Sequence, residues 1–226
     1  MLTAGIFTGL ACGALLAATG LTLWDSFRPA PGIFRAVRVI GWLASLFLLT
    51  GALLAWPGDR GLSTPALRLT LMAALAAPQI TRRRRNSHWS DVMLILPSLA
   101  LTGGGIFCSL GTVEIEAGRL PSASVELALL ICGGLGARAL GEAMSACRSG
   151  RSFIAAYVLL TLLVGELALV NLWQRGVVWG SAPGAGGLAG AWLVWSAAWL
   201  WPRRHPRLRA GLTAVAALLL IVITLV

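Results

Sequence analysis

The sequence predicts an all-α, polytopic membrane helix bundle with about eight transmembrane helices, and three observations carry that prediction. First, the 226 residues are 58% hydrophobic and only 12% charged, with a mean hydropathy of +0.83, far too apolar for a soluble domain of this size. Second, the apolar residues gather into runs of roughly 20, the length that crosses a hydrocarbon core about 30 Å thick. Third, the basic residues sit in short segments between those runs, and they alternate.

The first run, 2–24, has no positively charged start and is long enough to span, so it is expected to stay in the mature protein rather than act as a cleaved signal. The second covers 38–56. The third, 65–80, is the weakest: it is short, is opened by Pro65 and Arg68, and is interrupted by Pro78. The fourth, 92–112, holds Pro97 and the Gly103-Gly104-Gly105 run, which bend or loosen a helix whose freed backbone groups a neighbouring helix can satisfy. The fifth, sixth, seventh and eighth fall at 124–146, 153–173, 185–201 and 208–226. No soluble domain, repeat or long linker is visible, so residues 1–226 form a single transmembrane domain.

The net charge of +10 comes from eighteen arginines, with no lysine, against eight carboxylates. In a soluble domain that balance would suggest nucleic acid; in short loops between apolar runs it sets orientation in the bilayer, and no nucleic-acid partner is expected. Thirteen of the eighteen lie in alternate loops: Arg28, Arg35 and Arg38, then Arg82 to Arg85, then Arg148 and Arg151, then Arg203, Arg204, Arg207 and Arg209. The intervening segments hold Arg60, Arg68, Arg119 and Arg175. Basic loops face the cytoplasm, which places both termini on the outer side of a multi-pass protein of the cell inner membrane. The loop from Trp173 to Gly187 and the acidic stretch Val113-Glu114-Ile115-Glu116 then lie outside. The Arg82 to Arg85 run serves orientation, and anionic lipid is its alternative partner.

Cys12, Cys108, Cys132 and Cys147 lie inside or at the ends of apolar runs, without CxxC or CxxCH spacing. They read as packing residues rather than as a thiol relay or a covalent haem site. Gly184-Ala185-Gly186-Gly187-Leu188-Ala189 has the form of a dinucleotide fingerprint but follows no strand, so it reads as a flexible turn.

The stretch from Leu159 to Arg209 carries the most specific signal. Leu160-Thr161, Trp173, Trp179-Gly180, the run Ala191-Trp192-Leu193 and the basic turn Arg203-Arg204-His205-Pro206-Arg207 follow one another in an order that resembles the cytochrome c assembly family of haem-handling membrane proteins, the CcsA and HemX-like group. The resemblance covers roughly residues 85 to 226. It implies a bundle that works at its outer face, with Trp173, Trp179 and Gly180 as remnants of a haem loop. Ser181-Ala182-Pro183-Gly184-Ala185-Gly186-Gly187 stands where the family carries its aromatic and acidic core, and Glu126 occupies or adjoins a position where the family carries an outer histidine. A carboxylate is a poor axial ligand for haem iron. His88 and His205 fall on the inner side beside arginines, where they read as solvated loop residues; the other reading puts one of them on an inner access route for haem.

Singly, Trp173, Trp179, Trp192, Trp195, Trp199 and Trp201 also suit interfacial anchoring or helix packing. Charge inside the membrane is costly, so Arg138, Glu142 and Glu166 require an explanation. Arg138 and Glu142, four apart on one face, suit a local ion pair. Glu166, Val170 and Trp173 share a stripe at i, i+4 and i+7, directed at the outer loop, where the carboxylate can reach toward Arg138, line a ligand or quinol cavity, or sit as a neutral glutamic acid against a partner subunit. Small residues favour close helix contacts: Gly133, Gly134, Gly136 and Gly141 on the fifth helix, and Gly187, Gly190 and Ala191 on the seventh.

Three functions follow as expectations. The leading one is a noncatalytic scaffold, accessory subunit or assembly factor of a membrane complex related to cytochrome c or haem handling, not an enzyme, with no catalytic residues, no metal ligands and no cofactor of its own. Its partners are membrane lipids and other membrane subunits or cytochrome c-related proteins. The second is an active haem-handling protein that presents haem at the loop 173–187. The third is a transporter or quinone-site subunit built on Glu166 and Arg138, which no inverted repeat supports.

Overall fold

A computed structural model of the protein describes residues 2–27, 31–55, 64–78, 88–110, 123–145, 151–176, 185–200 and 206–225. They form eight α-helices: α1 (Leu2–Phe27), α2 (Pro31–Ala55), α3 (Pro65–Ala76), α4 (His88–Leu110), α5 (Ala123–Met144), α6 (Arg151–Arg175), α7 (Ala185–Leu200) and α8 (Pro206–Leu225). Their order and approximate bounds follow the apolar runs, because each run is long enough to satisfy its backbone internally and too apolar to stay in water. Five stretches are long and apolar enough to cross a membrane: Gly5–Asp25, Gly32–Ala55, Val125–Met144, Ser152–Trp173 and Pro206–Leu225. Pro65–Ala76, Val92–Cys108 and Gly186–Leu200 are shorter apolar helices. The expectation of eight full spans is therefore narrowed to an all-helical membrane protein with five candidate spans.

The third helix departs most from expectation. At 12 residues it is about 18 Å long, well short of a bilayer core, and Leu67, Arg68, Leu69, Thr70, Met72, Ala73, Ala74 and Ala76 are all buried. It is an interior piece wrapped by α2, α4, α5 and α8. Pro65 occupies its first turn, where a missing N–H costs nothing, and the Arg68 amide donates to Thr64 O at 3.1 Å. Its last turn is held by Ser45 of α2, whose Oγ donates to Ala74 O at 2.8 Å.

Close approach to α3 requires small residues on α5. A Cβ on Gly133 would sit 2.5 Å from Met72 Sδ and 3.0 Å from Thr224 Oγ1, and one on Gly134 would sit 2.7 Å from Leu75 Cβ. On α5's other flank, Gly136 faces Leu220 and Ala217 of α8 at 3.4 Å and beyond. These three glycines therefore serve contacts within the chain. On α7, a Cβ on Gly187 would meet Ile223 at 3.3 Å and Ala191 is fully buried, whereas Gly190 has open space around it.

Apolar side chains fill the spaces between helices in three clusters. Leu129, Leu160, Leu163, Trp195 and Leu220 lie in one, Leu48, Met72, Leu101 and Leu130 in a second, and Leu15, Val37, Ala44 and Ile95 in a third. Hydroxyls within the bundle return to their own helices: Thr22, Thr70, Thr102, Thr213 and Thr224 each donate to the carbonyl four residues back, at 2.7–2.9 Å. That removes a polar group from an apolar setting without a second helix. Pro97 lies inside α4 as expected, and Gly105 beyond it brings α4 close to Thr70 and Ala66 of α3.

Candidate functional site

The helix that carries the candidate site, α6, is apolar around most of its circumference, so packing rather than amphipathic pattern selects its faces. Leu160, Leu163, Val164 and Asn171 turn inward against α5 and α7. Leu162, Gly165, Glu166, Leu169 and Trp173 turn outward. The helix ends in a left-handed cap: Gly176 has φ of 71°, and its N–H donates to Leu172 O at 2.9 Å. The cap closes the helix just past Trp173, which is 90% exposed.

Glu166 lies inside the candidate span Ser152–Trp173, about 10 Å from the Trp173 end and about 21 Å from the Ser152 end. It stands between Leu162 (64% exposed) and Leu169 (68% exposed) on the same stripe. Among the described residues its carboxyl makes no hydrogen bond and no ion pair. The expected reach toward Arg138 is thus not made there, and Glu166 and Trp173 are both exposed. Val170 is only partly exposed. An acidic side chain deep in a bilayer costs about 3 kcal/mol on insertion scales. Nothing in the described fold offsets that cost.

The other intramembrane charges are used inside the protein. Arg68, 4% exposed, places Nη2 3.9 Å from Glu126 Oε1 and donates from Nη1 to Thr224 O at 2.9 Å. One side chain thereby ties α3 to the first turn of α5 and the last turn of α8, where a cation also suits the helix dipole. Glu126 is thus an ion-pair partner. Glu142 is buried, and its Oε1 accepts a hydrogen bond from Ser152 Oγ at 2.8 Å, joining α5 to the start of α6. Arg138 on α5 is partly exposed. Cys12, Cys108 and Cys132 are free thiols. No three His, Cys, Asp or Glu side chains gather among the described residues.

The tryptophans of α7 hold that helix to α6. Trp192 Nε1 donates to Thr161 Oγ1 at 3.0 Å, Trp195 Nε1 to Phe153 O at 3.3 Å, and Tyr157 Oη and Ser196 Oγ share a hydrogen bond of 3.1 Å. Phe153 stacks on Trp195 and Trp199 with centroids 5.2 and 6.0 Å apart, Tyr157 stacks on Trp199 at 5.8 Å, and the Arg209 guanidinium lies 5.8 Å from the Phe153 ring. Both of these indole N–H groups, of the buried Trp195 and the partly exposed Trp192, therefore have an acceptor, which is the form polar adhesion between membrane helices takes. Phe153, Tyr157 and Ser196 were not singled out from the sequence. The i, i+4 pairs Phe153/Tyr157 and Trp195/Trp199 were the available signal.

Trp179, Gly180 and the rest of the segment 177–184, together with Glu114, Glu116, Arg82 to Arg85 and His205, lie outside the described residues. Of Trp173, Trp179 and Gly180, only Trp173 falls within them. The comparisons with known proteins return nothing: no protein-family model, curated protein or solved structure matches this chain.

Proposed function

We propose that this protein is a noncatalytic membrane scaffold or accessory subunit that docks another membrane protein along the outward face of α6. One observation carries the proposal: Glu166 stands unpartnered among the described residues, within a candidate span, on a stripe with Leu162, Leu169 and Trp173. A lone carboxyl facing lipid is costly; a neighbouring helix that covers it relieves that cost. The order of Trp173, Trp179-Gly180, Ala191-Trp192-Leu193 and the basic turn at 203–207 suggests that the complex belongs to cytochrome c or haem handling. The alternating arginines suggest an inner-membrane protein with both termini outside.

Mild extraction from the native membrane tests the docking. The protein should migrate in an assembly larger than itself, and Leu169→Arg should return it to the monomer without changing its helicity or thermal unfolding. A wild-type protein that is monomeric under every mild condition sinks the scaffold reading.

A second reading rests on Trp173, whose ring at the end of α6 is 90% exposed and available to stack on a flat ligand: the protein presents haem at that end. It requires a Soret band in the purified protein that persists through detergent exchange and weakens in Trp173→Ala. A colourless protein excludes it.

A further inference from the structure

We infer that the helix docking on α6 carries an arginine or lysine at the depth of Glu166, so that the contact is an intramembrane ion pair framed by leucines. The inference rests on the scaffold reading and names the chemistry of its partner. Glu166 is an acceptor without a donor among the described residues, inside the span Ser152–Trp173. The other acidic side chains whose burial is described are turned inward or engaged: Asp25 and Glu142 are buried, and Glu126 faces Arg68. The surroundings of Glu166 suit a helix rather than a small ligand. Leu162 and Leu169 flank it one turn to either side, and Gly165 beside it is exposed, with no atom within 4 Å of a Cβ placed there, so a partner backbone can come close. A basic side chain both neutralises the carboxylate and donates to it, which an apolar helix cannot do.

A second copy of this chain does not supply that cation. Two copies meeting along α6 bring Glu166 against Glu166, like against like. The exposed arginines described in the helices are Arg35 and Arg38 in the first turns of α2 and Arg207 at the start of α8. In the alternating topology that the arginines suggest, α2 and α6 run the same way, and Arg38 lies about 10 Å along α2 while Glu166 lies about 22 Å along α6. Equally oriented copies therefore leave the cation some 10 Å from the carboxylate's level.

The experiment uses the full-length protein, acceptor-labelled, in phosphatidylcholine vesicles with donor-labelled 23-residue leucine-alanine helices. One probe carries arginine about 10 Å from one end, a second carries it at the centre of the opposite half, a third has leucine instead, and a fourth has glutamate. Energy transfer should show the depth-matched arginine helix binding about tenfold more tightly than the leucine helix, a factor set by the modest strength of polar contacts between membrane helices. Glu166→Gln should remove that preference, and Glu166→Arg should transfer it to the glutamate probe. Equal binding of the arginine and leucine helices, or a preference that survives Glu166→Gln, overturns the inference. So does transfer between two labelled copies of the protein that Glu166→Gln abolishes, which would make the occupant a second copy. Failure here with a native assembly that Leu169→Arg disrupts leaves the scaffold reading intact; a monomer in the native membrane removes the scaffold reading itself.

Discussion

Replacing Arg68 with methionine should destabilise the protein by about 3 kcal/mol, more than any change at an exposed arginine. The guanidinium donates a charge-assisted hydrogen bond to Thr224 O at 2.9 Å, a contact of a kind that contributes about 1.5–3 kcal/mol. The attraction to Glu126 at 3.9 Å is about 4 kcal/mol gross at an effective dielectric of 20, but desolvation offsets most of it. Glu126 is 18% exposed, so some hydration remains available to it once the arginine is gone. A coupling of about 1 kcal/mol between the two is therefore expected, with the remainder in the contact to α8. Unfolding by increasing SDS fraction in lipid-detergent micelles, followed by circular dichroism, measures each leg of the cycle Arg68→Met, Glu126→Gln and the double variant. Arg68→Met should cost clearly more than Glu126→Gln. Equal costs for the two single variants, or a wild-type-like Arg68→Met, would show that the arginine does not tie α3 to α8.

The glycines of α5 and α7 should separate by the same assay. Gly134→Ala puts a methyl 2.7 Å from Leu75 Cβ and should cost about 1–3 kcal/mol of overpacking, whereas Gly190→Ala, with open space around it, should be neutral or stabilise by up to about 1 kcal/mol. Tyr157→Phe and Ser196→Ala should each cost only about 0.6 kcal/mol, the average for polar contacts between membrane helices. Their double variant should cost no more than either alone, because both remove the same hydrogen bond; full additivity would refute the pairing.

The helices were legible in the sequence because a bilayer permits few alternatives: a run of about 20 apolar residues either spans or is buried. What was not legible is what long-range partners decide. Pro65 and Arg68 read as signs of a weak third span. Arg68 instead bonds Thr224, 156 residues away, and the helix is short because it lies inside the bundle. The glycines on α5 announced close contacts, yet spacing alone does not say whether the neighbour is α3 or another protein. On α6 the register of Glu166 and Trp173 was visible and its direction was not, since a helix apolar on nearly all sides gives no cue to which side faces out. The partners of Trp195 and Trp192 were hidden for a similar reason: the acceptors, Phe153 O and Thr161 Oγ1, are a backbone atom and a hydroxyl whose pairing no spacing announces.

Glu142 and Glu166 are chemically identical and should respond oppositely to replacement by leucine. Glu142 is 4% exposed and accepts from Ser152 Oγ, so Glu142→Leu leaves a buried hydroxyl without its acceptor and should cost about 1–3 kcal/mol of unfolding free energy. Glu166 faces out of the bundle in the folded protein and remains solvent- or lipid-facing when the helices separate. Its replacement should leave unfolding within about 0.5 kcal/mol of wild type, while insertion of the isolated α6 segment becomes more favourable by about 3 kcal/mol on the translocon scale. Glycosylation-mapped insertion of α6 in a host protein reads the second quantity. If Glu166→Leu instead destabilises the fold as Glu142→Leu does, the carboxylate has a structural partner within the chain. If insertion improves and stability holds, the chain carries a costly group that does nothing for its own fold, and the reason for keeping it lies in what docks there.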